Sequence, residues 1–250
     1  MRIFVCVNQV PDTETRVKVG PDGKTIDRSE INLILNPYDE FAIEAALQLK
    51  DKGNSEVTYV SVGGDSSKDV IRKALAMGGD KGIHVKTTDA GDSTAVASML
   101  SSVLKEAGAD MIFFGKQSID YDDSAVGTMV AEMLGIPSVS VVVRLDVNEG
   151  SRKVACEREI EGGKETVELT LPCVVTAQKG LNEPRYPSLK GIMAAKSKPI
   201  QEVTPSAGES LTEVTGMKKP PAKSAGRILG TDKSVVPELV KLLHEQAKVI

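Results

Sequence analysis

The stretch MIFFGKQSIDYDDSAVGTMVAEML, residues 111–134, passes through three textures in quick succession. Met111 to Phe114 are wholly apolar, as in a strand covered on both faces. Gly115 follows, then a polar run from Lys116 to Ser124. Val126, Met129, Val130, Met133 and Leu134 then recur at helical spacing, and the helix is expected to open near Asp123. Buried strand, glycine, polar loop and helix in that order are the makings of a βαβ unit.

The same alternation extends in both directions. RIFVCV (2–7), VTYVSV (57–62), GIHV (82–85) and SVSVVV (138–143) are short and rich in β-branched residues. Between them, Ala42, Ala45, Ala46 and Leu49, and then Val96, Met99, Leu100 and Val103, keep a helical period. Asn36-Pro37 reads as a helix start, a capping side chain followed by a proline suited to the first turn. Strands separated by helical crossovers predict an α/β fold, a doubly wound, mostly parallel sheet with helices on both faces.

Past residue 144 the texture changes. RKVACEREI and ETVELTL alternate apolar and polar residues around Gly162-Gly163, which predicts an antiparallel hairpin at the sheet edge, with CVVTA as a further strand. LNEPRYPSLKGIMAAKSKP (181–199) reads as a proline-stiffened loop that nevertheless carries Leu189, Ile192 and Met193. Residues 201–230, with five glycine or proline interruptions and the run KKPPAK, read as a linker or arm. Val236, Leu239, Val240 and Leu243 make an apolar stripe on a terminal helix. The expected organisation is a body over 1–204, an arm over 205–230 and a helix over 231–250.

Composition removes several classes of function. A net charge of -4 over 250 residues lacks the basic footprint of a nucleic-acid binder. The first strand-like run starts at Arg2, which leaves no room for a signal peptide, and no apolar run is long enough to insert in a membrane. Cys6, Cys156 and Cys173 all stand in apolar surroundings, which suits buried thiols in a reducing compartment; a soluble cytoplasmic protein is expected. His84 and His244 neighbour no metal-ligand cluster in the sequence, so no metal site or histidine triad is expected. GKT at 23–25 lacks the upstream glycine of a phosphate-binding loop and reads as a hairpin turn.

In an open α/β sheet, ligands lie off the carboxyl ends of the strands at the switch point. The loop after Phe114 and the helix behind it suit a phosphate, with Gly63-Gly64 and NPYD (36–39) on the same edge. Asp122, Asp123 and Ser124 read equally well as helix caps, and the residues alone leave both readings open.

NP at 36–37, ALAMGGDKGIHV at 74–85, GKQSIDYDD at 115–123, EREIEGG at 157–163 and LNEPRYPSLKGIM at 181–193 together resemble the beta subunits of electron transfer flavoproteins. The resemblance implies a heterodimer whose larger alpha subunit holds most of a redox-active FAD, while the beta subunit binds AMP in a structural role. Electrons would come from acyl-CoA dehydrogenases or similar flavoenzymes, as in fatty acid β-oxidation, and go to a quinone-linked oxidoreductase. The chain would be a carrier subunit rather than an enzyme, with no catalytic residue of its own. Carried over by position, the AMP pocket comprises Cys6, Asn36, Pro37, Tyr38, Asp39 and Val62, with Gly115, Lys116, Gln117, Ser118, Ile119, Asp120, Tyr121, Asp122, Asp123, Ser124, Ala125 and Val126 as its main loop.

Ala125 and Val126 depart from the amide and hydroxyl side chains common in AMP-binding members, which leaves phosphate contact to Ser124 and backbone N–H groups. An electron-bifurcating branch holds a second FAD in this pocket, with Arg in place of Lys116 and a small residue in place of Tyr121; the residues here favour AMP. Arg158 matches an arginine near the flavin, against the plainer reading of a hairpin surface charge. Leu189 matches the anchor of a loop that docks on the partner dehydrogenase, with Ile192 and Met193 adding contact; the alternative is that all three fold back onto the core. A stand-alone adenine-nucleotide-binding α/β protein is the rival from another class.

Overall fold

The computed structural model describes residues 1–205, 208–223 and 225–250; Ser206, Ala207 and Ser224, within the stretch read as a linker, lie outside them. In chain order the elements are β1 (Arg2–Cys6), β2 (Gln9–Pro11), β3 (Leu33–Leu35), α1 (Pro37–Lys52), β4 (Glu56–Gly63), α2 (Ser67–Met77) and β5 (Lys81–Lys86). They continue with α3 (Ser93–Ala107), β6 (Met111–Gly115), α4 (Val126–Leu134), β7 (Ser138–Asn148), β8 (Lys153–Ile160), β9 (Gly163–Thr170) and β10 (Cys173–Ala177). Last come α5 (Leu189–Ser197), β11 (Ile200–Val203) and α6 (Val236–Lys241), the last flanked by a short 3-10 turn and a π segment.

The main sheet runs β11-β5-β4-β1-β6-β10-β7-β8-β9, while β2 and β3 form a small antiparallel pair. Every pairing from β11 to β7 is parallel; β7–β8 and β8–β9 are antiparallel. The fold is the expected doubly wound α/β sheet with an antiparallel hairpin at one edge. Alternate residues of β1 show how both faces are covered. Ile3 and Val5 pack with Ile43, Leu47, Ile71 and Leu75 of α1 and α2. Phe4 and Cys6 pack with Met99, Leu104 and Val130 of α3 and α4. Each such side chain contributes about 1.5–3 kcal/mol on burial, so an all-apolar strand is stable only between two helical layers.

CVVTA is a further strand, as expected: β10 sits between β6 and β7 with all five residues buried. Two expectations need correction. The stretch read as an arm from 201 begins inside β11, which pairs with β5 through Ile200↔Gly82 to Val203↔Val85 and closes the opposite edge. And 181–199 is not all loop, since α5 begins at Leu189 once Ser188 accepts a hydrogen bond from Gly191 N. Beyond β11, Val236, Leu239 and Val240 of α6 remain exposed.

Candidate functional site

The chain runs β1, β4, β5 to one side of the sheet, then returns to place β6 on the other side of β1. The loops leaving β1 and β6 therefore part at the switch point, where doubly wound folds bind ligands. Asp39, in the first turn of α1, holds this edge together. Its buried carboxylate accepts from Asn8 N at 2.7 Å, Asn36 Nδ2 at 2.9 Å and Gly115 N at 3.1 Å. Burial pushes the Asp39 carboxyl up to about 7, against the downward pull of those three donors. Gly115 has to be glycine: a Cβ there would overlap Asp39 Oδ1 and the Tyr38 backbone.

Asn36 occupies the cap position of α1 ahead of Pro37, but its side chain caps nothing, contrary to expectation. It is drawn across to the loop after β6 instead. Its Nδ2 donates to Gln117 O at 2.9 Å as well as to Asp39, and its Oδ1 accepts from Ile119 N at 3.4 Å. Asn8 adds a further tie, Nδ2 to Ser118 Oγ at 2.8 Å, and was missed in the sequence. Its only signal was its place at the carboxyl end of the first strand.

The loop is internally bonded. Asp122 N donates to Ser118 O at 2.8 Å, Gln117 Nε2 to Asp122 Oδ1 at 2.5 Å, and Ser118 Oγ to Asp120. Asp122 and Ser124 take φ of 57° and 52°, a left-handed conformation that costs a non-glycine residue about 1 kcal/mol or more. The helix opens at Val126, not near Asp123, and Ala125 at its cap position supplies no side-chain bond. Asp122, Asp123 and Ser124 are thus not its caps. Asp123 receives the Ser93 hydroxyl instead, and Ser124 Oγ lies 3.4 Å from Gln117 Oε1. The acids are turned into local bonds while the first N–H groups of α4 lack a side-chain cap, the arrangement that receives an anion.

At the rim, Lys116 Nζ stands 5.6 Å over the Tyr38 ring, and Tyr121 is exposed. Cys6 and Val62 belong to the apolar cluster beneath α4, and burial raises the Cys6 thiol well above its ordinary value. One edge of the sheet gathers the predicted loop and Asn36 to Asp39. Arg158 lies elsewhere, on β8, paired with Val142 of β7. Among the described residues its buried Nε meets no hydrogen-bond partner, nor does Gln178 Oε1, and its guanidinium is 3.9 Å from Glu165. Leu189, Ile192 and Met193 do not fold back on the core; Leu189 is 84% exposed and Met193 65%. Tyr186 beside them, 94% exposed, was not singled out in the sequence.

Among the described residues the fold assembles a group that the sequence reading did not, Asp65, His84 and Glu202. Lys68 and Lys86 already lie against both carboxylates, at 2.7 to 3.6 Å, so the acidic charge there is neutralised. Buried His84 turns Nε2 to the Gly63 and Gly64 carbonyls, as a core histidine does.

Fold and edge define a doubly wound α/β protein with an internally bonded polar loop at its switch point. Residues 23–207 match the family model described as the electron transfer flavoprotein domain. The chain is 44% identical to the electron transfer flavoprotein subunit beta of Syntrophomonas wolfei, over 90% of this chain and 88% of that one. It is 38% identical to the subunit of the same name from Bacillus subtilis over the full length of both. It is also 37% identical to the acryloyl-CoA reductase electron transfer subunit gamma of Anaerotignum propionicum, over 98% of this chain and 99% of that one. The chain belongs to the electron transfer flavoprotein family, as a beta subunit.

Proposed function

We propose that this subunit holds AMP as a structural ligand and works with an alpha subunit that carries most of the FAD. The observation that carries the AMP reading is the loop from Gly115 to Ala125, with its acids self-bonded and the α4 N-terminus left without a side-chain cap. A phosphate fits that cradle through backbone N–H groups, as Ala125 and Val126 require. When bound, FAD takes up and gives back electrons; this chain would supply Arg158, whose buried Nε meets no partner among the described residues, which supports a role beside the flavin's negative charge. The chain itself makes and breaks no bond in this reading.

Electrons would come from an acyl-CoA dehydrogenase or similar flavoenzyme docking on Leu189, Ile192 and Met193, and leave to a quinone-linked oxidoreductase. The likeness to a subunit named for acryloyl-CoA reductase broadens the flavoenzyme class beyond fatty acid β-oxidation. Residues 1–204 form the nucleotide-binding unit in this reading, with 205–230 as an arm and 231–250 as a helix for the alpha subunit, whose cover the exposed face of α6 would accept. Among the described residues no helix is long and apolar enough to cross a membrane, and the three buried free cysteines suit the cytoplasm.

The test is to denature the purified heterodimer and identify what it releases. One FAD and one AMP per heterodimer are expected; two flavins would assign it to the bifurcating branch, and no nucleotide would refute the structural ligand. Adding AMP to stripped heterodimer at a hundredfold excess over Kd should stabilise it by about 2.7 kcal/mol. Flavin chemistry in the assembled protein should change little.

A further inference from the structure

Residues 181–188 cross α1 before α5 begins, and a charge pair holds them there. The Glu44 side chain on α1 is 6% exposed. Arg185 closes on it as a fork, Nε donating to Oε2 at 2.7 Å and Nη2 to Oε1 at 3.0 Å. The Arg185 backbone N–H also donates to Oε2 at 3.2 Å, and Nη2 reaches Asp51 Oδ2 at 2.9 Å. Burial alone would raise the Glu44 carboxyl, but the Arg185 bonds outweigh it and hold the group below its ordinary value. Two bonds from a planar fork and one from the backbone set direction as well as distance. Asn182 Nδ2 adds a bond to Phe41 O at 2.9 Å on the same helix.

The far end of the segment is pinned as well. Arg72 Nη1 donates to Ala195 O at 2.6 Å and Lys198 O at 2.5 Å, and Lys198 Nζ donates to Leu75 O at 3.0 Å. In the middle, Gly191 passes so close to Ala76 O that a Cβ would overlap it. The backbone is fastened while the tips of Tyr186, Leu189 and Met193 stand in solvent. A surface already ordered gives up little conformational entropy on docking, which improves affinity without new contacts.

We infer that Glu44 and Arg185 are positioning residues for partner docking, holding residues 181–193 in docking geometry before the partner arrives. The inference rests on the docking role of Leu189. The experiment uses the heterodimer with Glu44→Gln and Arg185→Lys, each keeping size but losing the charged fork. Hydrogen exchange is read without partner, and KM and kcat are read with the dehydrogenase. Bound flavin confirms that each variant is folded, and Arg185→Lys decides if Glu44→Gln does not assemble.

Amides from Arg185 to Ile192 should exchange about tenfold faster or more, β1 amides should not change, and KM should rise about tenfold with kcat within about twofold, as for lost binding alone. Unchanged exchange at those amides overturns the inference. So does faster exchange with unchanged KM when Leu189→Ala still raises KM, since docking would then not need the pair. If neither Leu189→Ala nor the pair variants alter KM, the docking reading itself falls and takes the positioning role with it.

Discussion

The loop after β6 and the segment before β11 solve opposite problems with similar materials. From Gly115 to Ala125, side chains bond to one another and to Asn8, Asn36 ties the backbone of Gln117 and Ile119, and the backbone at the start of α4 is left without a side-chain cap. From Leu181 to Lys198, α1 and α2 hold the backbone through Glu44, Arg72 and the Gly191 approach, so side chains are left available. The first suits an anion read by N–H groups, the second an apolar partner read by side chains.

The contrast can be broken most strongly at the clamp. Arg185→Ala leaves Glu44 buried without its cation, an imbalance worth about 3–5 kcal/mol when fully buried. Arg185 itself is 36% exposed, which reduces the expected loss to about 2–3 kcal/mol by chemical denaturation. The effect should carry a pH signature. Glu44 is held below its ordinary value, so the pair's contribution is full above the unfolded carboxyl pKa of about 4.3 and is lost as pH falls through the lower folded value. The stability gap between wild type and Arg185→Ala should therefore narrow below about pH 4.3, and a gap independent of pH would mean that packing rather than charge holds the segment.

On the other side of the comparison, Gly115→Ala should cost about 1–3 kcal/mol, because the new methyl meets Asp39 and the Tyr38 backbone rather than a side chain that can move. It should also reduce AMP retention, since Asp39 and Gly115 N set where the loop begins. Equal AMP content in wild type and variant would show that the loop is placed by its own bonds alone.

The smallest effect on stability is expected at Leu189. Truncation of this exposed side chain should change unfolding free energy by less than about 0.5 kcal/mol. Electron transfer from the dehydrogenase at low concentration should nonetheless fall about thirtyfold, the loss of a 2 kcal/mol anchor. A large loss of stability with partner affinity intact would reverse the assignment.

Apolar texture was the most legible property of the chain. Met111 to Phe114, RIFVCV and VTYVSV form buried strands because such runs need cover on both faces, and the helical stripes of α1 and α3 pack on the sheet for the same reason, whereas in α4 Val130 is buried and Met133 is exposed. The hairpin around Gly162 was equally visible, since strict alternation leaves one face dry and one wet. The position of the loop after β6 also followed, because a strand that ends in glycine before a polar run has to end at a sheet edge.

Tertiary structure alone decided the rest. Asn36 looks like a helix cap in sequence, yet its amide turns to Gln117, 81 positions away, because the loop's backbone offers a partner that only the folded sheet brings near. Asp122 to Ser124 look like caps and are not, since Asp122 is taken by Gln117 and Asp123 by Ser93 of another helix. Glu44 and Arg185 look like surface charges; one becomes buried and the two pair across 141 positions. Local pattern reports the period at which a segment hides its apolar side chains. Which polar group meets which depends on strand order and loop closure, and those distances exist only once the sheet has assembled.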